Sequence, residues 1–373
     1  MASAKYKKNS RGFYETKIWD GTYNTDGSKH RKIISSKKSS ADLERKVLEF
    51  KDSIKNQGPI HPTAYTFGEY ALHWLDVRKG TKEINTQAMY QNIINVHLKP
   101  ISHLPLASVM NSHIQQCINM AADKPRTCQQ IYLTAKQIMR MALCDFLIGQ
   151  NQFQIMFTDI SLPKYIKAEK RALTQIEKDA IPQADFSIME KTFVYLIYGC
   201  GLRRGEALAL TKFDINLKES TLSVTKTVVF NGNQAVIKNM PKTGNGIRTV
   251  PIPTATLAVL NEYLPSLQTT QLFVTRGGAL ITKSSYVKMW KRIVSKINLA
   301  AGGSESFPVV TDLTAHIFRH NYCSNLCYQV PSISIKKIAQ LMGDTEKVVL
   351  DVYNHIIEEK ENVIDVVEAA LAL

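Results

Sequence analysis

The sequence predicts a multidomain α+β protein. It should hold a small three-stranded sheet packed on one helix at the N-terminus, then an all-helical domain, then a mainly helical domain containing a small antiparallel sheet. Three observations predict it. At 373 residues the chain is too long for one comfortable core, so two or three domains are expected. Strand-like runs lie within the first 36 residues and again between residues 221 and 252. Asp-Gly or Asn-Gly pairs interrupt them, and the glycine supplies the positive φ that hairpin turns require. Elsewhere apolar residues recur mainly at helical spacing. The expected boundaries are residues 1–60, 61–169 and 170–373.

Composition narrows the partners. Hydrophobic residues make up an ordinary 44%, but the net charge is +15, which points to a polyanion. The excess is uneven: residues 1–60 carry 14 basic against 7 acidic residues, and residues 341–373 carry 2 against 8. Nucleic acid fits better than membrane, because the N-terminus has no signal-peptide apolar core and no run approaches the length of a spanning helix. Six cysteines at low density, mostly inside apolar helical patterns, suggest a reducing cytoplasm.

In chain order, residues 1–11 are basic and aperiodic and read as a flexible arm. Strand candidates follow at residues 12–19, 22–24 and 29–35, separated by Asp20-Gly21 and Asp26-Gly27. A helix over residues 40–57 places Leu43, Val47, Phe50 and Ile54 on one face to cover the sheet. The sheet's other face is expected to carry Lys17, Lys29, Arg31 and Lys32 near Tyr14 and Trp19, a surface suited to DNA. Thr66 and Glu69 form a capping box opening the next helix. Helical runs follow at residues 86–98, 106–122 and 125–148. In the last, Thr127, Lys136 and Arg140 are expected outside and Ile131, Leu133, Ile138, Met141 and Leu143 inside. The segment SLPKYIKAEKR, residues 161–171, reads as a basic linker whose Lys164, Lys167, Lys170 and Arg171 suit phosphate contact. A second capping box, Thr174 with Glu177, opens the third domain.

The chemistry concentrates in residues 312–353. His316, Arg319, His320, Cys323 and Cys327 fall at offsets that stack on one helical face. A second helix ends at Gly343, and a third, short helix is expected to begin at Asp344 and end in Tyr353. A phenol that attacks a phosphodiester must be activated, and the charge it creates needs fixed cations; the planar fork of arginine suits that task. A second arginine is supplied by YGCGLRRGEALALTKFDI, residues 198–215, and a lysine, Lys242, by the turn in PKTGNGIRTVPIP. His316, His320, Cys323 and Cys327 also suggest zinc ligands. Spread along one straight helix they span about 16 Å, too far for bonds near 2 Å, so no metal site is expected.

The ordered set Arg203, Lys242, His316, Arg319, Tyr353 resembles the tyrosine recombinase family, the phage-integrase type. GLRRGE, PKT, HIFRH and LMGDTEKVVLDVYNHI carry the match over about the last two hundred residues. The resemblance implies that the arginine directly after Gly-Leu, Arg203 rather than Arg204, grips the phosphate with Arg319, and that Tyr353 is the nucleophile. Tyr322 and Tyr328, on the His316 helix itself, are poorer placed. Lys242 would act as general acid, with Lys238 the alternative. His316 would accept the tyrosine proton or hold the phosphate; Glu206 would orient Arg203 by a carboxylate contact, and His320 is a further supporting residue. Asp344 departs from the family, which usually has histidine or tryptophan there. A carboxylate about 4 Å from a phosphate costs on the order of 4 kcal/mol at a surface-like dielectric, so Asp344 is expected to cap the nucleophile helix instead.

The resemblance further implies double-stranded DNA at specific sites as substrate, four protomers in the synaptic complex, an excisionase or DNA-bending accessory protein, and no cofactor. It makes the first domain an arm-site DNA-binding domain and the second a core-binding domain. The rival readings are a type IB topoisomerase and a DNA-binding protein weakened in catalysis by Asp344.

Overall fold

The structure, a computed structural model, describes residues 5–23, 28–57, 65–166, 171–239 and 246–360. The chain forms two compact units, residues 1–167 and 168–373.

In the first unit, β1 (Tyr14–Tyr23) and β2 (Lys29–Ser36) pair antiparallel, and α1 (Ser40–Gln57) packs on both. Leu43 and Val47 are buried there, as the helical spacing predicts. The strand count differs from expectation. Among the described residues the sheet is two-stranded, because the chain does not reverse at Asp20-Gly21. Gly21 takes φ +91° within a register shift between Trp19 and Tyr23, and the strand continues. The expected Asp26-Gly27 turn lies outside the described residues.

The rest of the unit is helical: α2 (Phe67–Lys79), α3 (Ile84–Asn92) continuing into a π turn at Ile93–His97, α4 (Asn111–Asn119), α5 (Pro125–Cys144) and α6 (Gln150–Met156). The capping box at α2 is formed: Thr66 accepts from the Glu69 amide at 3.3 Å, and Glu69 accepts from the Thr66 amide at 2.8 Å. Phe67, Tyr70, Trp74, Ile114, Ile131 and Ile138 build the core. Leu133 is exposed rather than inside, because it lies about 200° around α5 from Ile131.

The second unit begins with α7 (Gln175–Ala180), α8 (Ile188–Gly199) and α9 (Arg204–Ala209). Strands β3 (Ile215–Asn216), β4 (Thr221–Val224) and β7 (Arg248–Pro251) form an antiparallel sheet in the order β3-β4-β7, while β5 (Lys226–Asn231) and β6 (Gln234–Asn239) form a hairpin. Gly232 turns that hairpin at φ +58°, as the Asn231-Gly232 pair predicts. The remaining helices are α10 (Thr254–Ser266), α11 (Lys283–Ala300), α12 (Ala315–Cys327), α13 (Ile335–Met342) and α14 (Glu346–Lys360). An aromatic cluster of Phe193, Phe273, Tyr286, Trp290 and Phe318 ties α8, α11 and α12 together. The architecture is therefore mixed helix and sheet, with the sheet confined to small antiparallel pieces. One element runs differently from expectation: α14 does not end at Tyr353 but continues to Lys360, because no glycine or proline interrupts it.

Candidate active site

Arg203 precedes α9, and a close approach of the backbone before it to α12 sets its place. Gly201 has φ +62°, and a Cβ there would meet the Tyr322 ring at 2.3 Å, so only glycine fits between α8 and α12. The carbonyl of that glycine accepts from Arg319 Nη1 at 2.7 Å. The GCGLRRGE segment thus brings one arginine forward and anchors the other.

Arg319 is 2% exposed. Its Nη2 donates to the Met342 carbonyl at the end of α13 and, at 2.5 Å, to Asp344 Oδ2. Arg203 Nη2 donates to Asp344 Oδ1 at 2.5 Å and to the Gly343 carbonyl at 2.9 Å. The two guanidinium groups therefore share one carboxylate, one oxygen each. Asp344 is reached through Gly343, which ends α13 in the left-handed conformation at φ +62°. This differs from the expected helix cap: two fixed cations outbid backbone amides for the same oxygens. Burial first, and then the charge of Arg203, lower the pKa of Arg319, while Asp344 opposes the fall.

The neighbouring arginine is resolved as well. Arg204 lies over the rings of Phe230 and Tyr286, at 5.7 and 5.2 Å from their centroids, and so faces away from Asp344.

Glu206 meets Arg203 as expected, and behind it stands an ion pair with Arg248 that sequence reasoning missed. Glu206 is fully buried and accepts from Arg203 Nη1 at 2.9 Å, from the Arg203 amide at 2.8 Å, and from Arg248 Nη1 and Nη2 at 3.1 and 2.7 Å. Arg248 Nε also donates to the Leu341 carbonyl at 2.8 Å, tying β7 to the last turn of α13. Burial alone would push the Glu206 carboxyl up. The hydrogen bonds and charge of Arg248, with lesser help from the Arg203 amide and Arg319, hold it below the usual carboxylate value. One signal for Arg248 was available. In β7 residues 248 and 250 point inward together, and a charged residue at an inward position implies a buried partner.

His316 is exposed on α12 one turn before Arg319, and half-buried His320 follows it. Tyr353 is half-buried on α14, against the cluster of Cys323, Cys327, Ile338, Met342 and Val349, and α14 packs on α12 and α13. Cys323 and Cys327 thus serve apolar packing. Burial pushes the Tyr322 phenol up to about 12. Lys242 lies outside the described residues, in the connection between β6 and β7; Lys238 is half-buried within β6.

The basic residues divide. Lys17, Lys29 and Arg31 are exposed, and the register pairs Trp19 with Arg31 and places Lys17 opposite Ile33 on that same face; Lys29 Nζ lies 5.0 Å from the Trp19 ring centroid. Lys32 falls on the opposite face, over Phe50 of α1, because side chains alternate along a strand. Its expected place beside Arg31 is therefore corrected. Tyr14, in register with buried Ser36, also belongs to that other face. Arg140 is exposed on α5, and Lys136 is half-buried with Nζ 3.1 Å from the Tyr132 hydroxyl. Lys164 is exposed, while Lys167 and Lys170 lie outside the described residues. Arg171 is turned inward instead of outward: it forks onto Glu177 at 2.7 and 2.8 Å and reaches the Thr311 carbonyl, satisfying a buried carboxylate.

A mainly helical unit in which two guanidinium groups converge on one oxyanion, with a tyrosine-bearing helix packed beside them, defines an enzyme of the tyrosine recombinase type. Residues 167–360 match the phage integrase family, and the chain belongs to it. It is 23% identical to a XerC-like tyrosine recombinase of Caldanaerobacter subterraneus subsp. tengcongensis, covering 96% of this chain and 97% of that one. It is also 23% identical to the integrase of Staphylococcus phage L54a (86% and 96%), and 30% identical over a shorter stretch to the ICEBs1 integrase of Bacillus subtilis (48% of each). Among solved structures, it is similar in fold to the Tn1549 transposon integrase in complex with circular intermediate DNA, with a TM-score of 0.63 at 19% identity (78% and 95%). It is similar also to a lambda integrase dimer bound to a core site, with a TM-score of 0.55 at 13% identity (94% and 95%). No helix among the described residues is long and apolar enough to cross a membrane.

Proposed function

We propose that the protein is a site-specific DNA recombinase that cuts and rejoins strands through a 3′-phosphotyrosyl link, integrating or excising a mobile element. One observation carries this reading: Arg203 and Arg319 each give a 2.5 Å hydrogen bond to a different oxygen of the same anion. In the reaction, two non-bridging oxygens of the scissile phosphate occupy the places those carboxylate oxygens hold. Tyr353 attacks phosphorus, its bond to phosphorus forms as the bond to the 5′ oxygen breaks, and Lys242 gives that leaving oxygen a proton. His316 takes the phenol proton or holds the phosphate, Glu206 fixes Arg203, and His320 supports α12. The phosphoester is conserved in the covalent link, so the 5′-hydroxyl of a partner strand reverses the step without metal or nucleotide.

Residues 1–60 then serve as an arm-site DNA-binding domain, residues 61–169 as a core-binding domain with its basic linker, and residues 170–373 as the catalytic domain. Lys17, Lys29 and Arg31, with Arg140 and Lys164, contact phosphates. Four protomers exchange strands in pairs on double-stranded DNA in the cytoplasm, and an excisionase or DNA-bending protein sets direction. The integrases of Staphylococcus phage L54a and of ICEBs1 among its relatives support the mobile-element role.

The test is a nicked duplex spanning the ends of the DNA element that encodes the protein. Wild type should form a covalent adduct whose peptide mass maps to Tyr353, and Tyr353→Phe should form none. Joining between two duplexes separates recombination from simple relaxation. Absence of any wild-type adduct, or one that persists in Tyr353→Phe, refutes the reading.

A further inference from the structure

The carboxylate of Asp344 takes one donor from each arginine, and the surroundings hold all three groups in register. Arg319 is fixed by the carbonyls of Gly201 and Met342, and Arg203 by Glu206 and the Gly343 carbonyl. The Asp344 backbone is held too, its amide donating to the Ala339 carbonyl at 3.0 Å. The side chain itself is 24% exposed and Arg203 38%, so the pair opens to solvent on the Arg203 side. A carboxylate and a phosphodiester present the same face to two guanidinium forks: one negative charge on two coplanar acceptors. The two anions repel at that distance, and each needs the same donors, so one must leave when the other enters.

We infer that Asp344 is a specificity-determining residue, a tethered anion that closes the arginine pair to free anions and yields only to a phosphate delivered on bound duplex. The inference rests on the reading above, in which this pair grips the scissile phosphate. The tether makes the carboxylate an intramolecular competitor, and a dissolved anion meets the site only in the fraction of molecules whose Asp344 has swung out. A duplex anchored by other contacts presents its phosphate intramolecularly as well, which removes that handicap. The exchange turns the partly exposed Asp344 side chain toward the solvent-open Arg203 side.

The test uses the full chain with inorganic phosphate as the probe, read by thermal shift against chloride at matched ionic strength. Asp344→Asn keeps the shape and removes the charge. It should bind phosphate on the order of tenfold or more tightly than wild type, as expected when a minor open state becomes the major one. The gain should vanish in Asp344→Asn/Arg203→Ala. On the nicked duplex at limiting DNA, Asp344→Asn should form adduct faster than wild type. Equal phosphate affinity in the two proteins, or slower adduct formation, overturns the inference. Asp344→His serves if the asparagine variant folds poorly. Wild type alone also decides: protection by millimolar phosphate that Arg203→Ala abolishes shows a pocket already open. A wild-type adduct at Tyr353 with no Asp344 effect sinks only the gate; a phosphate site opened by Asp344→Asn with no adduct on any duplex sinks only the recombinase reading.

Discussion

Arg248→Met should unfold the second unit at markedly lower temperature. Glu206 accepts four hydrogen bonds, two of them from Arg248, and both side chains are at most 5% exposed. Removing one partner of a buried ion pair leaves an uncompensated charge and costs about 3–5 kcal/mol. Arg203 remains against Glu206, but its side chain is 38% exposed and already divided between Glu206, Asp344 and Gly343, so a loss near the lower end, about 3 kcal/mol, is expected. For a unit of this size that corresponds to about 6–12 °C in Tm. Trp290 lies in the aromatic cluster of this unit, so a Trp19→Phe/Trp74→Phe background leaves it as the one tryptophan, and selective tryptophan excitation then reports the melt of this unit. Adding Glu206→Gln removes the stranded charge, and the double variant should recover about 2 kcal/mol relative to the sum of the singles. A shift under about 2 °C for Arg248→Met, or strict additivity in the double variant, would refute the assignment of Arg248 as the partner that keeps Glu206 ionised.

Acid should act on the same unit. Glu177, Glu190 and Glu206 are buried against cations, and hydrogen bonds from Arg171, from Lys296 with Arg292, and from Arg248 outweigh burial to hold all three below the usual value. Their stabilisation is therefore full above the unfolded-state pKa of about 4.3 and is lost as pH falls through the lower folded values. Denaturant midpoints from the Trp290 reporter should hold near neutrality and drop steeply below about pH 4; a midpoint that is flat or rising there would contradict the ion pairs. On the N-terminal sheet, Lys17→Ala/Arg31→Ala should weaken duplex binding and reduce the log–log salt slope by about 2, whereas Lys32→Ala, on the helix-covered face, should leave the slope nearly unchanged. Fluorescence anisotropy across a salt series checks both, and equal effects from Lys32 would return that residue to the DNA face.

What was legible in the sequence was local. Thr66 with Glu69 and Thr174 with Glu177 mark helix starts because both partners lie within one turn, and each capping box is formed as the spacing predicts. Glycine after α13 and the Gly232 hairpin are of the same kind. Sequence reasoning failed where a local rule met a distant competitor or was misapplied. In its basic linker Arg171 reads as a phosphate-contacting cation, yet a buried carboxylate six residues on claims its fork. Neighbourhood in sequence puts Lys32 beside Arg31, while alternation along the strand assigns it to the other face.

Asp344 shows the same conflict at the candidate active site. An aspartate shortly before a helix is a capping signal, and nothing within reach along the chain contradicts it. The contradiction comes from Arg203, 141 residues away, and Arg319, 25 residues away, both already fixed by backbone carbonyls and Glu206 before Asp344 is considered. Two immobile guanidinium groups facing one another across a few ångströms repel, and the placement of Arg203 and Arg319 is tolerable only with an anion between them. In this chain the residue after the αL glycine carries that charge, so the two guanidinium groups are neutralised within the fold itself.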